Sequence, residues 1–224
     1  MHLLLVFATP GESALLREAL PFEAQADGTW QLSQGAQRLT LLHTGLGMVN
    51  TAWTLARWAA VHPDFDRALH LGIAGSYRRD WPLGQVVQVV EDSFPELGAD
   101  APGGFLDLEQ LGFPLWERPG QPLYNTLRNP QPWAVDLPAA RGVTVNRVQG
   151  TEAGIAEMAR RWQPEVESME GAAFFYAMLR LDKPFAAWRS LSNYVEPRNR
   201  EAWQIGPALR SLIDVFLAWW NRHP

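Results

Sequence analysis

Leu39-Thr40-Leu41-Leu42-His43-Thr44-Gly45-Leu46-Gly47-Met48-Val49-Asn50 decides the fold class of this chain. An apolar run of strand length, 39–43, meets a turn punctuated by two glycines, and residues from about 49 to 60 carry helical spacing. The same alternation recurs outward in both directions. Residues 3–8 predict a buried strand that stops at Pro10-Gly11 and leads to a helix over 13–20. Residues 68–73 predict a strand ending in Ala74-Gly75. Further strands are expected at 86–91, 143–148 and 185–191. Helices are expected over 151–162, with Thr151 as N-cap, and over 169–181. From near Pro207 the residues Leu209, Leu212, Ile213, Phe216, Leu217 and Trp220 form the stripe of an amphipathic helix.

Strands alternating with helices predict one α/β domain with a largely parallel sheet and helices on both faces. The 224 residues suit a single domain with a full core. Residues 94–138 break the pattern with eight prolines and several aromatics, and predict a long irregular excursion. It serves as a lid, a subunit contact or a surface excursion tied down by its aromatics.

Composition removes several function classes. With 19 Lys and Arg against 24 Asp and Glu, the chain lacks the basic excess of a nucleic-acid binder. No cysteine is present, which excludes disulfides, thiolate metal sites, iron–sulfur clusters and a cysteine nucleophile. The run 3–8 has no basic leader and is too short for a signal peptide, and no stretch reaches membrane-span length; a soluble cytoplasmic protein is expected. No two of His2, His43, His62, His70 and His223 are spaced three or four apart, so no metal site is expected. Neither a Gly-x-Ser-x-Gly elbow nor a Walker loop occurs. The Gly45-Leu46-Gly47 turn lacks the third glycine of a dinucleotide fingerprint, because Asn50 stands there; no cofactor is expected. A turn that lets backbone approach a small ligand fits it better.

In such sheets ligands sit beyond the carboxyl ends of the strands. Glu12, Gly45, Gly47, Gly75 and Asn193 all fall there. Two further stretches carry polar groups in suggestive places. In Val166-Glu167-Ser168-Met169-Glu170-Gly171, Glu170 stands where a helix begins, which also suits the helix dipole. In Arg189-Ser190-Leu191-Ser192-Asn193-Tyr194, an apolar strand runs into charge.

Together Ala8-Thr9-Pro10-Gly11-Glu12, Thr44-Gly45-Leu46-Gly47, Gly72-Ile73-Ala74-Gly75, Met169-Glu170 and Ser190-Leu191-Ser192-Asn193 resemble the nucleoside phosphorylase and nucleosidase superfamily. Within it the futalosine hydrolase family is the most similar, on residues 97–108, 146–152, 167–175 and 189–199. The resemblance implies a single domain with a central twisted mixed β-sheet flanked by helices. It implies cleavage of a purine–ribose bond, no cofactor, a small nucleoside as partner and a homo-oligomer, for which the 11 tryptophans allow an apolar interface.

The resemblance also implies roles for residues. Glu170 would accept hydrogen bonds from the ribose hydroxyls, with Met169 packed on the sugar and Ala74 and Gly75 against the substrate. Glu12 would deprotonate the attacking water. Asn193 would meet the base: relatives acting on 6-aminopurines carry Asp there, whereas an amide can donate to O6 and accept from a protonated N7. Phosphate-using relatives place Arg and Ser where His70 and Ile73 stand, which favours water as nucleophile; Arg78 and Arg79 lie nearby. A carboxylated aromatic 5′ group would need apolar walls, such as Phe105 from either copy, and a cation, Arg198 or Arg200, with Arg147 as a rival. Another purine nucleosidase, a 6-oxopurine phosphorylase and a non-catalytic nucleoside-binding module are the alternatives.

Overall fold

The computed structural model describes residues 1–118 and 120–222, so Pro119, His223 and Pro224 lie outside the described residues. In chain order the strands and helices are β1 (His2–Phe7), α1 (Ala14–Ala19), β2 (Glu23–Ala24), β3 (Trp30–Gln34), β4 (Gln37–His43), α2 (Met48–Val61), β5 (Arg67–Ser76) and β6 (Val86–Ser93). There follow β7 (Gly98–Ala101), β8 (Gly104–Asp107), α3 (Leu108–Leu111), β9 (Trp116–Arg118), β10 (Gln121–Leu123), β11 (Thr126–Arg128) and β12 (Ala139–Thr144). The last are α4 (Glu152–Trp162), β13 (Val166–Ser168), α5 (Gly171–Leu181), β14 (Phe185–Tyr194), a 3-10 turn (Arg200–Ala202) and α6 (Ile205–Trp220).

Alternation along β1 builds the layers. Leu3, Leu5 and Phe7 enter a core shared with Leu16 of α1 and with Leu212, Ile213 and Phe216 of α6. Leu4 and Val6 enter the opposite core with Leu55 and Trp58 of α2 and the buried face of α5. A strand buried on both faces must be apolar throughout, which is why residues 3–8 show no polar alternation. Each such buried Leu or Phe contributes about 1.5–3 kcal/mol.

The sheet is mixed rather than largely parallel. β1 runs parallel to β4 and β5, and β14 runs parallel to β5, but β14 is antiparallel to β6, and β13 to β5. β5, β13, β12, β6 and β14 pair successively, and β14 closes the circuit on β5. This ring of strands and the ends of β1 and β4 hold the site described below.

Four expectations are corrected. The strand expected at 143–148 is β12, which ends at Thr144; beyond it the Asn146 and Gln149 N–H groups go to the carboxylates of Glu96 and Glu167 instead of a neighbouring strand. The helix expected from residue 169 begins at Gly171, preceded by the short strand β13. The stretch 94–138 is irregular only in part: it holds the antiparallel pairs β7–β8 and β9–β10, while β11 joins the main sheet against β6. Finally, Gly75 and Asn193 lie inside β5 and β14 rather than beyond them. Thr151 is the N-cap of α4, its hydroxyl accepting from Gly154 N at 3.2 Å. Among the described residues no helix is long and apolar enough to cross a membrane.

Candidate active site

A cavity of about 620 Å³ opens where β1, β4, β5, β13 and β14 end. That volume suits a ligand of nucleoside size or somewhat larger. Seven of the nine residues singled out in the sequence line it: Glu12, Ala74, Gly75, Met169, Glu170, Asn193 and Arg198.

Glu12 follows β1 through the Pro10-Gly11 turn. Its Oε2 accepts from the Thr9 backbone N–H at 3.0 Å and from the Thr9 hydroxyl at 3.2 Å, which fixes the carboxylate three residues back on its own loop. Its Oε1 lies 3.4 Å from where a β-carbon on Gly72 would sit, so the bare glycine leaves room for the carboxylate over β5. Burial pushes the Glu12 carboxyl above its ordinary pKa; the Thr9 N–H opposes this and the Glu170 charge adds to it.

Glu170 is the N-cap residue of α5, yet its side chain makes no cap. Its Oε1 accepts instead from the Gly47 N–H at 2.8 Å, on the strand-to-helix turn before α2. Gly47 has φ +87°, a backbone region that glycine enters without steric cost. The Gly45-Leu46-Gly47 turn therefore offers its Gly47 N–H to a carboxylate.

Behind these two carboxylates lies Arg189, fully within the protein. It donates to the carbonyls of His70 and Trp188, each at 3.1 Å, and to His70 Nδ1 at 2.8 Å. His70 must then be neutral, with Nδ1 as acceptor, and burial holds its pKa well below the ordinary value. The Arg189 charge is offset by Glu170, Asp92 and Glu12. A buried cation beside three carboxylates offsets part of the cost of bringing Glu12 and Glu170 onto one cavity.

Asn193 sits at a bulge. β14 pairs with β5 in steady register up to Leu191↔Ala74, then slips so that Asn193 faces Gly75. Its Nδ2 donates to the Tyr194 carbonyl at 3.1 Å, and its Oδ1 accepts from the Ser192 hydroxyl at 2.9 Å. A carbonyl only accepts, so Tyr194 dictates which end of the amide is nitrogen. One N–H and one lone pair of the amide remain for a ligand.

Phe105 and Arg200 do not line the cavity of their own chain. Phe105 packs under Arg161, whose guanidinium carbon is 4.3 Å from the ring centre, and Arg200 opens the 3-10 turn. Arg147 does not line it either, which leaves Arg198 as the arginine on its wall among the described residues. Arg78 is paired with Asp80 and Glu165, and Arg79 with Glu196. Ile73 lines the cavity, whereas His70 lies beneath it. Among the described residues no three acidic or histidine side chains converge as a metal-binding set.

Sequence reasoning missed Arg189, Asp92 and Glu167 as members of this centre. Glu167 lines the cavity and ties its wall together, accepting from Gln149 N at 2.9 Å and the Tyr77 hydroxyl at 3.0 Å. Arg189 and Glu167 lay within stretches already singled out, but only the three-dimensional packing shows what they face.

Residues 2–211 match the family model of the phosphorylase superfamily. The chain belongs to the phosphorylase superfamily. Among curated members of that superfamily it is 37% identical to a futalosine hydrolase of Thermus thermophilus, over 76% of each chain. It is 32% identical to a futalosine hydrolase of Streptomyces coelicolor, over 96% of this chain and 93% of the relative. Two solved structures share the fold. A futalosine hydrolase of Helicobacter pylori superposes with a TM-score of 0.79 at 12% identity, covering 99% of this chain and 98% of the other. A 5′-methylthioadenosine/S-adenosylhomocysteine nucleosidase of Neisseria meningitidis superposes with a TM-score of 0.77 at 19% identity, covering 96% of each chain.

Proposed function

We propose that this protein is a futalosine hydrolase, cleaving the N-glycosidic bond of futalosine with water to release hypoxanthine and dehypoxanthinylfutalosine, a step of menaquinone biosynthesis. The observation that carries the reading is the Asn193 amide, oriented by the Tyr194 carbonyl and opening on the same cavity as Glu12 and Glu170. The identity to curated futalosine hydrolases supports it.

The chemistry follows from the geometry. Departure of the base leaves positive charge on the ribose and negative charge on the purine. The remaining Asn193 N–H donates to O6 of a 6-oxopurine, and the free lone pair accepts from N7–H once the departing base takes a proton there from water; an ionised Asp there would repel O6 and leave the Tyr194 carbonyl without a donor. Glu170, held by Gly47, accepts from the ribose hydroxyls and stabilises the cation, with Met169 against the sugar. Glu12 takes a proton from water as its oxygen bonds to C1′, while the C1′–N9 electron pair leaves with the base. Ile73, which cannot bind phosphate, stands on the wall, and Arg78 and Arg79 are committed to carboxylates elsewhere; both favour water over phosphate. Arg198, on the cavity wall, supports a carboxylate on the 5′ group as its partner.

The working form is a homo-oligomer. Leu46, Val49 and Trp53 are exposed at the start of α2, and Val49 lines an apolar groove of about 330 Å³ with Leu97, Leu115 and Tyr176. Phe105, off its own cavity, then acts as a wall for a partner's site.

Incubation with futalosine in phosphate-free buffer should release hypoxanthine, at a rate unchanged by added phosphate. Asn193→Asp should lower kcat/KM for futalosine on the order of 100-fold, about 3 kcal/mol of transition-state stabilisation. Absence of hypoxanthine, or release that depends on phosphate, would reject the reading.

A further inference from the structure

Glu170 occupies the position from which a side chain ordinarily caps a helix, yet its carboxylate is turned away to Gly47. The first N–H groups of α5 must find acceptors elsewhere, because helix-terminal donors buried without partners are costly. Gly171 N–H donates to the Ser168 hydroxyl at 3.3 Å. Ala172 N–H donates to the Thr144 hydroxyl, at the end of β12, at 2.6 Å. The Thr144 hydroxyl in turn donates to Asp92 Oδ1 at 2.8 Å.

Asp92 stands on β6, only 2% exposed. Two glycines make room for it. A β-carbon on Gly142 would lie 2.8 Å from Asp92 Oδ2, and one on Gly171 would overlap the same oxygen. The residue next to Glu170 is therefore bare of side chain, and the Asp92 carboxyl fills the space against the first turn of α5. Burial pushes the Asp92 carboxyl up to about 7, against the Thr144 hydroxyl and Arg189, which pull it down.

We propose that Asp92 and Thr144 are positioning residues for Glu170: they take over the capping of α5 and so leave the Glu170 carboxylate free to face the cavity. Neither residue touches the substrate. Without the Thr144 hydroxyl, Ala172 N–H loses its acceptor, and Glu170, which stands at the N-cap position, can swing back onto the helix. The inference rests on the reading of the cavity as a ribose site only for its kinetic consequence.

Thr144→Val and Thr144→Ser test it, since valine keeps the shape without the hydroxyl and serine keeps the hydroxyl. With futalosine, well below the unfolding temperature of each variant, Thr144→Val should lose about tenfold or more in kcat/KM, the scale on which a misplaced binding group acts, while Thr144→Ser stays close to the wild type. A merely structural hydroxyl would lower the melting temperature and leave kcat and KM untouched; that result, or an equal loss in Thr144→Ser, overturns the proposal. If the wild-type protein cleaves no futalosine, the functional reading fails and a crystal structure of Thr144→Val decides the positioning claim alone. Loss of the Glu170 Oε1 contact to Gly47 N upholds it, and retention overturns it.

Discussion

Glu12 and Glu170 line the same cavity, and the consequence for pH is set by their surroundings. Burial raises the Glu12 pKa, the neighbouring carboxylate raises it further, and the Thr9 N–H and Arg189 pull it down. A general base works only when ionised, so activity is lost as pH falls through this raised value. The acid limb of kcat/KM should therefore lie above the ordinary carboxylate range, measured as a pH profile of hypoxanthine release. Glu12→Gln should abolish that limb and lower kcat by about 100- to 10,000-fold. At this scale the sequence was informative for residues that sit next to turns. Glu12, Glu170 and Asn193 could each be named from local context. Arg189 could not, because an arginine inside an apolar strand reads as an exception until the three carboxylates around it are seen.

At the scale of elements, the bulge in β14 does the aiming. A strand alternates its side chains strictly, so one extra residue transfers everything beyond it to the other face. The slip between Leu191 and Asn193 puts Asn193 against Gly75, whose missing side chain leaves space for the amide. A β-carbon on Gly75 would lie 3.1 Å from Asn193 Nδ2 and 3.0 Å from Val195 Cγ2. Gly75→Ala should thus displace the amide and lower kcat/KM for futalosine about tenfold, the order of effect of a displaced contact group. Its unfolding midpoint in urea should move far less than that of a core truncation such as Leu212→Ala, which costs about 2–5 kcal/mol. Bulges and two- to four-residue strands leave little periodicity to read. That is why β13 and the short strands of 94–138 were invisible in the sequence, whereas α6 was legible through Leu209, Leu212, Ile213, Phe216 and Trp220, all of which are buried.

At the scale of the whole molecule, the α2 face is the exposed feature that calls for an explanation. Trp53 is 67% exposed and Val49 77%, one helical turn apart beside an apolar groove. Association through this face predicts that Trp53→Glu combined with Val49→Arg shifts the protein to the monomer in sedimentation velocity, with the far-ultraviolet circular dichroism unchanged. An oligomer that persists in that variant would place the interface elsewhere.

By itself the sequence determined the layers. Apolar runs of strand length and helical stripes depend on neighbours a few residues away, and burying them on both faces of a sheet leaves few alternatives. It also determined which turns follow which strands, and hence where a ligand would find backbone. The tertiary structure decided the rest: the closed ring of strands, the buried arginine between carboxylates, and the hydrogen bond of the Thr144 hydroxyl, itself held by Asp92, to the first turn of α5. Those features join residues 19 to 177 positions apart, and electrostatic and hydrogen-bond partners over such separations leave no periodic trace in a single chain.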